Sequence, residues 1–316
     1  MTEAPDETSA LVNGAALSSS DLPVIERTEW ELCRAEQVPS YLRSPDIWTH
    51  YRVHFSLRLC LMSLVRLHNE LLNIHTHLLG SLGFLAAYVA LYLQVLRQMQ
   101  SWVHFAVISA YVLAVAWLLL CSSAFHCFSC RSPASYACMA RLDYSGIGIV
   151  ILTSQWGAMS YAFVCWREAF IGFAAVLGVF TILVVLGPMW PPFHHRRYRV
   201  PRALMYVLLS VVFPVVWWLM TATRYGFGSR AVVQEFYLGM ALCYAGYGAG
   251  IFFYLTRFPE RLFPGKFDLL PSHTFWHLGV LAGAALLLNS FVQMALAIGD
   301  QPCSVLLNST WYGAYA

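Results

Sequence analysis

The chain has 316 residues, of which 59% are hydrophobic, 15% aromatic and only 11% charged. Soluble domains carry about 25% charged residues, so a soluble fold of this size would lack the ionic groups to cover its surface. A net charge of +3, from 19 basic and 16 acidic residues, is too mild and too scattered for a nucleic-acid-binding face, and the apolar content excludes disorder over most of the chain. The composition is that of an integral membrane protein. Its nine cysteines are odd in number and mostly lie within or beside apolar runs, so they do not form a disulfide framework.

In chain order, residues 1–50 are polar and at first acidic, with no apolar core of a cleavable signal peptide. They are expected to form a tail, disordered at its start, with Glu29 to Tyr51 packing under the membrane domain. From Phe55 to His68, Leu57, Leu61, Leu64 and Val65 fall on one face, with Arg58 and Arg66 elsewhere. That pattern predicts a short amphipathic helix in the membrane interface, the alternative being an extension of the first span. A membrane helix needs about 20 mostly apolar residues, and seven such runs can be read: Leu78–Leu96, Trp102–Cys121, Ser145–Cys165, Ala169–Met189, Ala203–Thr221, Phe236–Leu255 and Phe275–Ile298. Pro214 lies inside the fifth, where a kink is tolerated because neighbouring helices satisfy the freed carbonyl. The reading is an all-α membrane protein, a seven-helix bundle over residues 51–298 with a short tail at 299–316.

Basic residues set the orientation. With the N-terminus cytoplasmic, only Arg97, Arg167, Arg224 and Arg230 fall outside, leaving fifteen of the 19 inside. Seven spans then place the C-terminus outside or in a lumen, together with the glycosylation sequence Asn308-Ser309-Thr310 and Cys303. A disulfide from Cys303 to Cys165 is conceivable in this topology, with little in the sequence to support it. The orientation is the reverse of a G-protein-coupled receptor, and no Asp-Arg-Tyr triplet comes after the third span.

Ionisable groups near membrane depth are rare and usually functional. His126 ends the second span, Asp143 precedes the third, and His273 and His277 begin the seventh. The alternating directions of the spans bring all four to the cytoplasmic side, although they are spread over more than 150 residues. His273 and His277 are one helical turn apart and share a face. With a third histidine they supply the three-ligand set of an open zinc site, and a carboxylate is the natural partner of a water or an imidazole N–H there. Each histidine alone reads as an interfacial side chain, and Cys127 and Cys130 form a rival CxxC beside His126. No second CxxC completes that site, so these thiols read as reduced cysteines or palmitoylation candidates. Asp143 is expected to be the one acid at the depth of the histidines.

At these residues the sequence resembles the progestin and adipoQ receptor family, within it the adiponectin-receptor-like branch. The matches are Asn69-Glu70-Leu71-Leu72-Asn73-Ile74-His75-Thr76-His77-Leu78-Leu79-Gly80, Ser122-xxx-His126, Leu142-Asp143-Tyr144-Ser145-Gly146, Pro259-Glu260-Arg261-Leu262-Phe263-Pro264-Gly265-Lys266 and Ser272-His273-xxx-His277. They cover all seven spans. The resemblance implies a seven-helix bundle with a cytoplasmic N-terminus and Zn2+ held by His126, His273 and His277. It further implies Asp143 contacting the zinc-bound water, Ser122 beside it, and hydrolysis of ceramide to sphingosine and fatty acid. One departure is His75, where the family has Trp. Because His75 and His77 lie on the same side, an added ligand stays open, although the family pattern gives His77 a packing or hydrogen-bonding role. Glu70 and Asn73 are expected to tie the first span to a neighbouring loop.

Three functions are compatible with these residues: a zinc-dependent lipid amidase governed by an extracellular protein ligand, a receptor with structural zinc, and a Golgi scaffold. Asp143 beside three histidines favours the first, because structural zinc usually has four protein ligands. The plasma membrane is the expected location, with Golgi or ER as alternatives, and monomer and oligomer both stay open.

Overall fold

In a bilayer every backbone polar group must be satisfied within the protein, which leaves helices as the form available to these apolar runs. The computed structural model describes residues 26–316 apart from 191–192, 194–197, 199–200, 202–203, 207, 226–236, 302 and 308–316. Its helices are α1 (Leu57–Ser63), α2 (Leu71–Gln94), α3 (Trp102–Phe128), α4 (Pro133–Ala162), α5 (Arg167–Leu186), α6 (Phe213–Tyr225), α7 (Tyr237–Thr256), α8 (Ser272–Ile298) and the short α9 (Cys303–Leu307). The sequence Asn308-Ser309-Thr310 and the start of the N-terminal tail lie outside the described residues.

Six helical segments among the described residues are long and apolar enough to cross a membrane. The third expected span is not one of them. It lies in α4, which at 30 residues is long enough, but Ser145, Gly146, Gly148, Ser154, Gln155 and Gly157 dilute its apolar character, and most of these are buried in the bundle. Helices α2 and α4 also start well before the expected spans, at Leu71 and Pro133. Asn73 and His77 of the early α2 turns are buried against the bundle, and the helix continues where the apolar run stops. Ser132 caps α4 by accepting a hydrogen bond from the Ser135 N–H at 3.1 Å, with Pro133 at the first helical position.

The fifth apolar run is irregular where its sequence demands it. Leu208–Val212 forms a π turn ahead of α6. Pro214 has no N–H to give to the Ser210 carbonyl, and that carbonyl accepts the Tyr244 hydroxyl of α7 instead. Helix α7 meets α8 at backbone distance. A Cβ added at Gly279 would lie 2.7 Å from the Gly250 Cα, and one at Gly246 would lie 2.9 Å from the Gly283 N. Small residues at four-residue spacing on both helices allow this approach. A Gly279→Leu change should therefore push α8 away from α7 and lower the thermal midpoint in detergent; a midpoint at the wild-type value would refute the close contact.

Residues 26–56 form a strap across one end of the bundle. Cys33 and Tyr51 exchange backbone hydrogen bonds of 2.8 and 3.1 Å, and the Asp268 carboxylate accepts from the Trp48 and Thr49 N–H groups. Arg257 and Asp46 pair at 3.0 Å. Between strap and bundle, α1 keeps Leu57 and Leu61 exposed and buries Leu59 and Cys60. At the opposite end, Asp300 accepts from the N–H groups of Gln100 and Ser101, and a disulfide joins Cys165 to Cys303. Peptide mapping without reduction should recover the Cys165–Cys303 cross-link. Alkylation of both thiols in unreduced protein would contradict it.

Candidate metal centre

The strap end of the bundle is where the chemistry collects. Helix α8 is fixed there by Glu260, whose carboxylate accepts from the Ser272 N–H at 2.8 Å and from the Ser272 hydroxyl. Negative charge at a helix N-terminus meets the unpaired N–H groups and the positive end of the dipole. His273 and His277 therefore leave the first two turns of a firmly started helix. His126 comes from the last turn of α3. One ligand atom from each of these three histidines lies within 4.8 Å of the others, with His126 and His277 buried and His273 half-buried.

Hydrogen bonds decide which nitrogens face inward. The His277 Nδ1 lies 3.1 Å from the Asn73 carbonyl oxygen and 3.1 Å from the Thr76 Oγ1. A carbonyl only accepts, so Nδ1 carries the proton and Nε2 is left bare. The His126 Nδ1 lies 2.7 Å from Glu70 Oε2. Burial alone would raise the Glu70 carboxyl, but the His126 imidazole beside it, and hydrogen bonds from His126 and Asn73, hold it well below the usual carboxylate range. The same Glu70 oxygen accepts from the Asn73 amide, so with Glu70 as acceptor the His126 Nδ1 is the donor and its Nε2 is the nitrogen left to face inward. Asn73 completes the frame: its amide donates to Glu70 at 2.7 Å, and its Oδ1 accepts the Thr274 hydroxyl at 2.7 Å.

This donor set fits zinc. Tetrahedral nitrogens about 2.0–2.1 Å from one zinc lie about 3.3 Å apart, and the Nε2 atoms of His126 and His273 are 3.3 Å apart. Imidazole suits zinc among divalent ions, and a carboxylate or carbonyl holding the far ring nitrogen is the usual outer partner of a metal-binding histidine. Ser122 is buried on α3, one turn before His126, and Asp143 of α4 lies beside it, within electrostatic reach of His126.

The other candidate residues lie outside the three-histidine group. The His75 Nε2 donates to the Leu64 carbonyl at 2.7 Å, closing the end of α1, so it faces away from the three histidines. His77 is buried and stacks on His277 with centroids 3.5 Å apart, a packing role. Cys127 and Cys130 are buried against Cys60, with the Cys60 and Cys130 sulfurs 3.6 Å apart. They join no metal-binding group among the described residues, and their thiols are free.

Glu70 and Asn73 do not tie α2 to a loop; they bind the helices that carry the histidines. Asp143 is therefore not the sole acid at this depth, since Glu70 and Glu260 are there too. The expected start of the first span at Leu78 placed Glu70 outside the membrane segment, which hid its role. Its three-residue spacing to Asn73, one face of a helix, was the available signal.

Comparison with known proteins agrees with this architecture. The family model described as Haemolysin-III related matches residues 65–288. The chain is 31% identical to "Adiponectin receptor protein" of Drosophila melanogaster, over 91% of this chain and 65% of that protein. It is 31% identical to "Progestin and adipoQ receptor family member 3" of Homo sapiens, over 81% of this chain and 83% of the relative. A third relative, "Heptahelical transmembrane protein 1" of Arabidopsis thaliana, is 30% identical over 80% of this chain and 78% of its own length. The chain spans 65% of the fly protein and 64% of "Progestin and adipoQ receptor-like protein 1" from Caenorhabditis elegans.

Proposed function

From the premise that the chain belongs to the Haemolysin-III related family, shared with proteins named as adiponectin and progestin and adipoQ receptors, we propose that it is a zinc-dependent lipid amidase. In this reading it crosses the membrane seven times, α4 included, with its N-terminus cytoplasmic and its C-terminus outside or lumenal. The basic bias supports that orientation. So does the Cys165–Cys303 disulfide, because disulfides persist in oxidising compartments and this one lies at the end opposite the histidines.

The observation that carries the proposal is an open set of three histidines with a carboxylate alongside. His126, His273 and His277 would hold zinc, which lowers the pKa of water to about 7 and polarises a carbonyl. Asp143 accepts the proton of the attacking water at its carboxylate and returns it to the leaving amine. The Ser122 hydroxyl, by donating to that carboxylate, would fix its direction. Glu70 and the Asn73 carbonyl hold the rings of His126 and His277 in register. The polar amide head of a ceramide would enter at this end while its acyl and sphingoid chains lie along the bundle. An extracellular protein ligand would act from the disulfide end.

The test is direct. Protein purified in detergent, incubated with ceramide, should release sphingosine and fatty acid, detected by mass spectrometry. A chelator should abolish release and zinc restore it. Full zinc occupancy with no release above blank would favour a receptor with structural zinc. For the topology, tags at both ends should be read in intact and permeabilised cells. A C-terminal tag on surface-expressed protein, reached only after permeabilisation, would reject the orientation.

A further inference from the structure

We infer that Arg52 is a positioning residue for the metal centre, through which the N-terminal strap holds His126 in place. Arg52 is 2% exposed, and no carboxylate pairs with it among the described residues. Burying a cation in this way is costly unless its donors are used, and here two of the three contacts made by its Nη groups fall on the end of α3. Its Nη2 donates to the His126 carbonyl at 2.6 Å, and its Nη1 donates to the Cys127 carbonyl at 3.1 Å and the Ser63 hydroxyl at 2.8 Å.

These carbonyls belong to the last turn of α3. The last four carbonyls of a helix have no N–H partner within it, and they carry the negative end of the dipole. A planar guanidinium can meet two of them at once, where an ammonium offers only a point charge. The residue whose carbonyl makes the shortest contact is itself a proposed ligand, so Arg52 sets the direction of the backbone from which the His126 ring projects.

The chain around Arg52 is in turn tied to its neighbours. The Asn69 N–H donates to the His50 carbonyl at 3.1 Å, tying the strap to the start of α2, and the His54 N–H donates to the Cys130 carbonyl at 2.7 Å. The Ser63 hydroxyl that accepts from Arg52 donates onward to the Cys60 carbonyl at 2.7 Å. Through Thr49 and Asp268 the same strap reaches the loop leading into α8, with Oγ1 donating to the carboxylate at 2.5 Å. The strap therefore joins the three elements that present Glu70, His126 and the His273–His277 pair. A helix-capping arginine of purely structural use would act on stability alone; this one acts on the geometry of a ligand.

The inference rests on the zinc reading, and its test separates the two. Full-length protein is stripped of metal, and zinc affinity is measured by competition with a chelating indicator. The visible absorption of the Co2+-loaded form reports ligand geometry. Arg52→Met should weaken zinc binding about 10–100-fold, the cost typical of losing an outer-shell partner, and should alter the Co2+ spectrum. Arg52→Lys, which keeps the charge but not the fork, should fall between it and the wild type. It carries the comparison if the methionine variant does not fold. Asp300→Asn, which removes a loop cap at the far end, serves as the control for general destabilisation and should keep wild-type affinity and spectrum. Wild-type affinity and spectrum in the Arg52 variants would overturn the inference, as would an equal loss in Asp300→Asn. A wild-type chain that takes up no zinc would overturn the metal reading itself, and the inference with it.

Discussion

Asp143→Asn should lower ceramide hydrolysis by roughly 10²–10⁴-fold, the range for loss of general base catalysis, with zinc content and thermal midpoint unchanged. Asparagine is nearly isosteric, and its Oδ1 can still accept from the Ser122 hydroxyl, but it cannot take up a proton. Among the described residues, the acids beside the histidines other than Asp143 are committed. Glu70 is engaged by His126 and Asn73, and Glu260 by Ser272. Asp143 lies beside the Ser122 hydroxyl and is tied to no helix start or imidazole in this way among the described residues, so its carboxylate keeps lone pairs for a water. The measurement is zinc content, thermal midpoint and turnover on one preparation of each protein. Unchanged turnover at unchanged zinc would remove Asp143 from the reaction and favour the receptor reading.

Loss of a histidine should have a larger effect on the metal than any outer partner. Replacing His126, His273 or His277 with Ala should weaken zinc by more than the roughly 10–100-fold that outer-shell changes cost. His75→Phe should leave it untouched, because that ring serves the Leu64 carbonyl. His104→Ala should do the same, since His104 bonds the Gly299 carbonyl at the far end of the bundle. The ligands belong to α3 and α8, so zinc joins two helices and its binding energy adds to their association. At a free zinc concentration 100 times the dissociation constant this amounts to about 2.7 kcal/mol. Chelation should accordingly lower the thermal midpoint of the wild type and leave that of the triple alanine variant where it was.

Much of this organisation was legible in the sequence because the membrane simplifies the reading. Apolar runs of about 20 residues can only become helices there, and alternating directions bring His126, Asp143, His273 and His277 to one end whatever the loops do. The kink at Pro214 and its repair from a neighbouring helix were consequences of the missing N–H. The polar helical turns were harder to read. Hydropathy marks where lipid contact ends, not where the helix ends, so Asn73 and Glu70 fell outside the expected first span and Arg141 and Asp143 outside the third. For the same reason α4, lined by buried glycines and serines, lacks the apolar signature of its neighbours. The strap's role was invisible in a different way. Nothing in the spacing of Arg52 from His126, 74 residues apart, announces that one guanidinium closes the end of α3.

The measurement that bears most directly on the metal centre is anomalous X-ray scattering at the zinc absorption edge, from crystals of the full chain grown without added chelator. One strong peak per chain is expected, about 2.0–2.1 Å from the Nε2 atoms of His126, His273 and His277 and on the side facing Asp143. A peak at the Cys60, Cys127 and Cys130 thiols, or no peak in protein shown to contain zinc, would contradict that assignment.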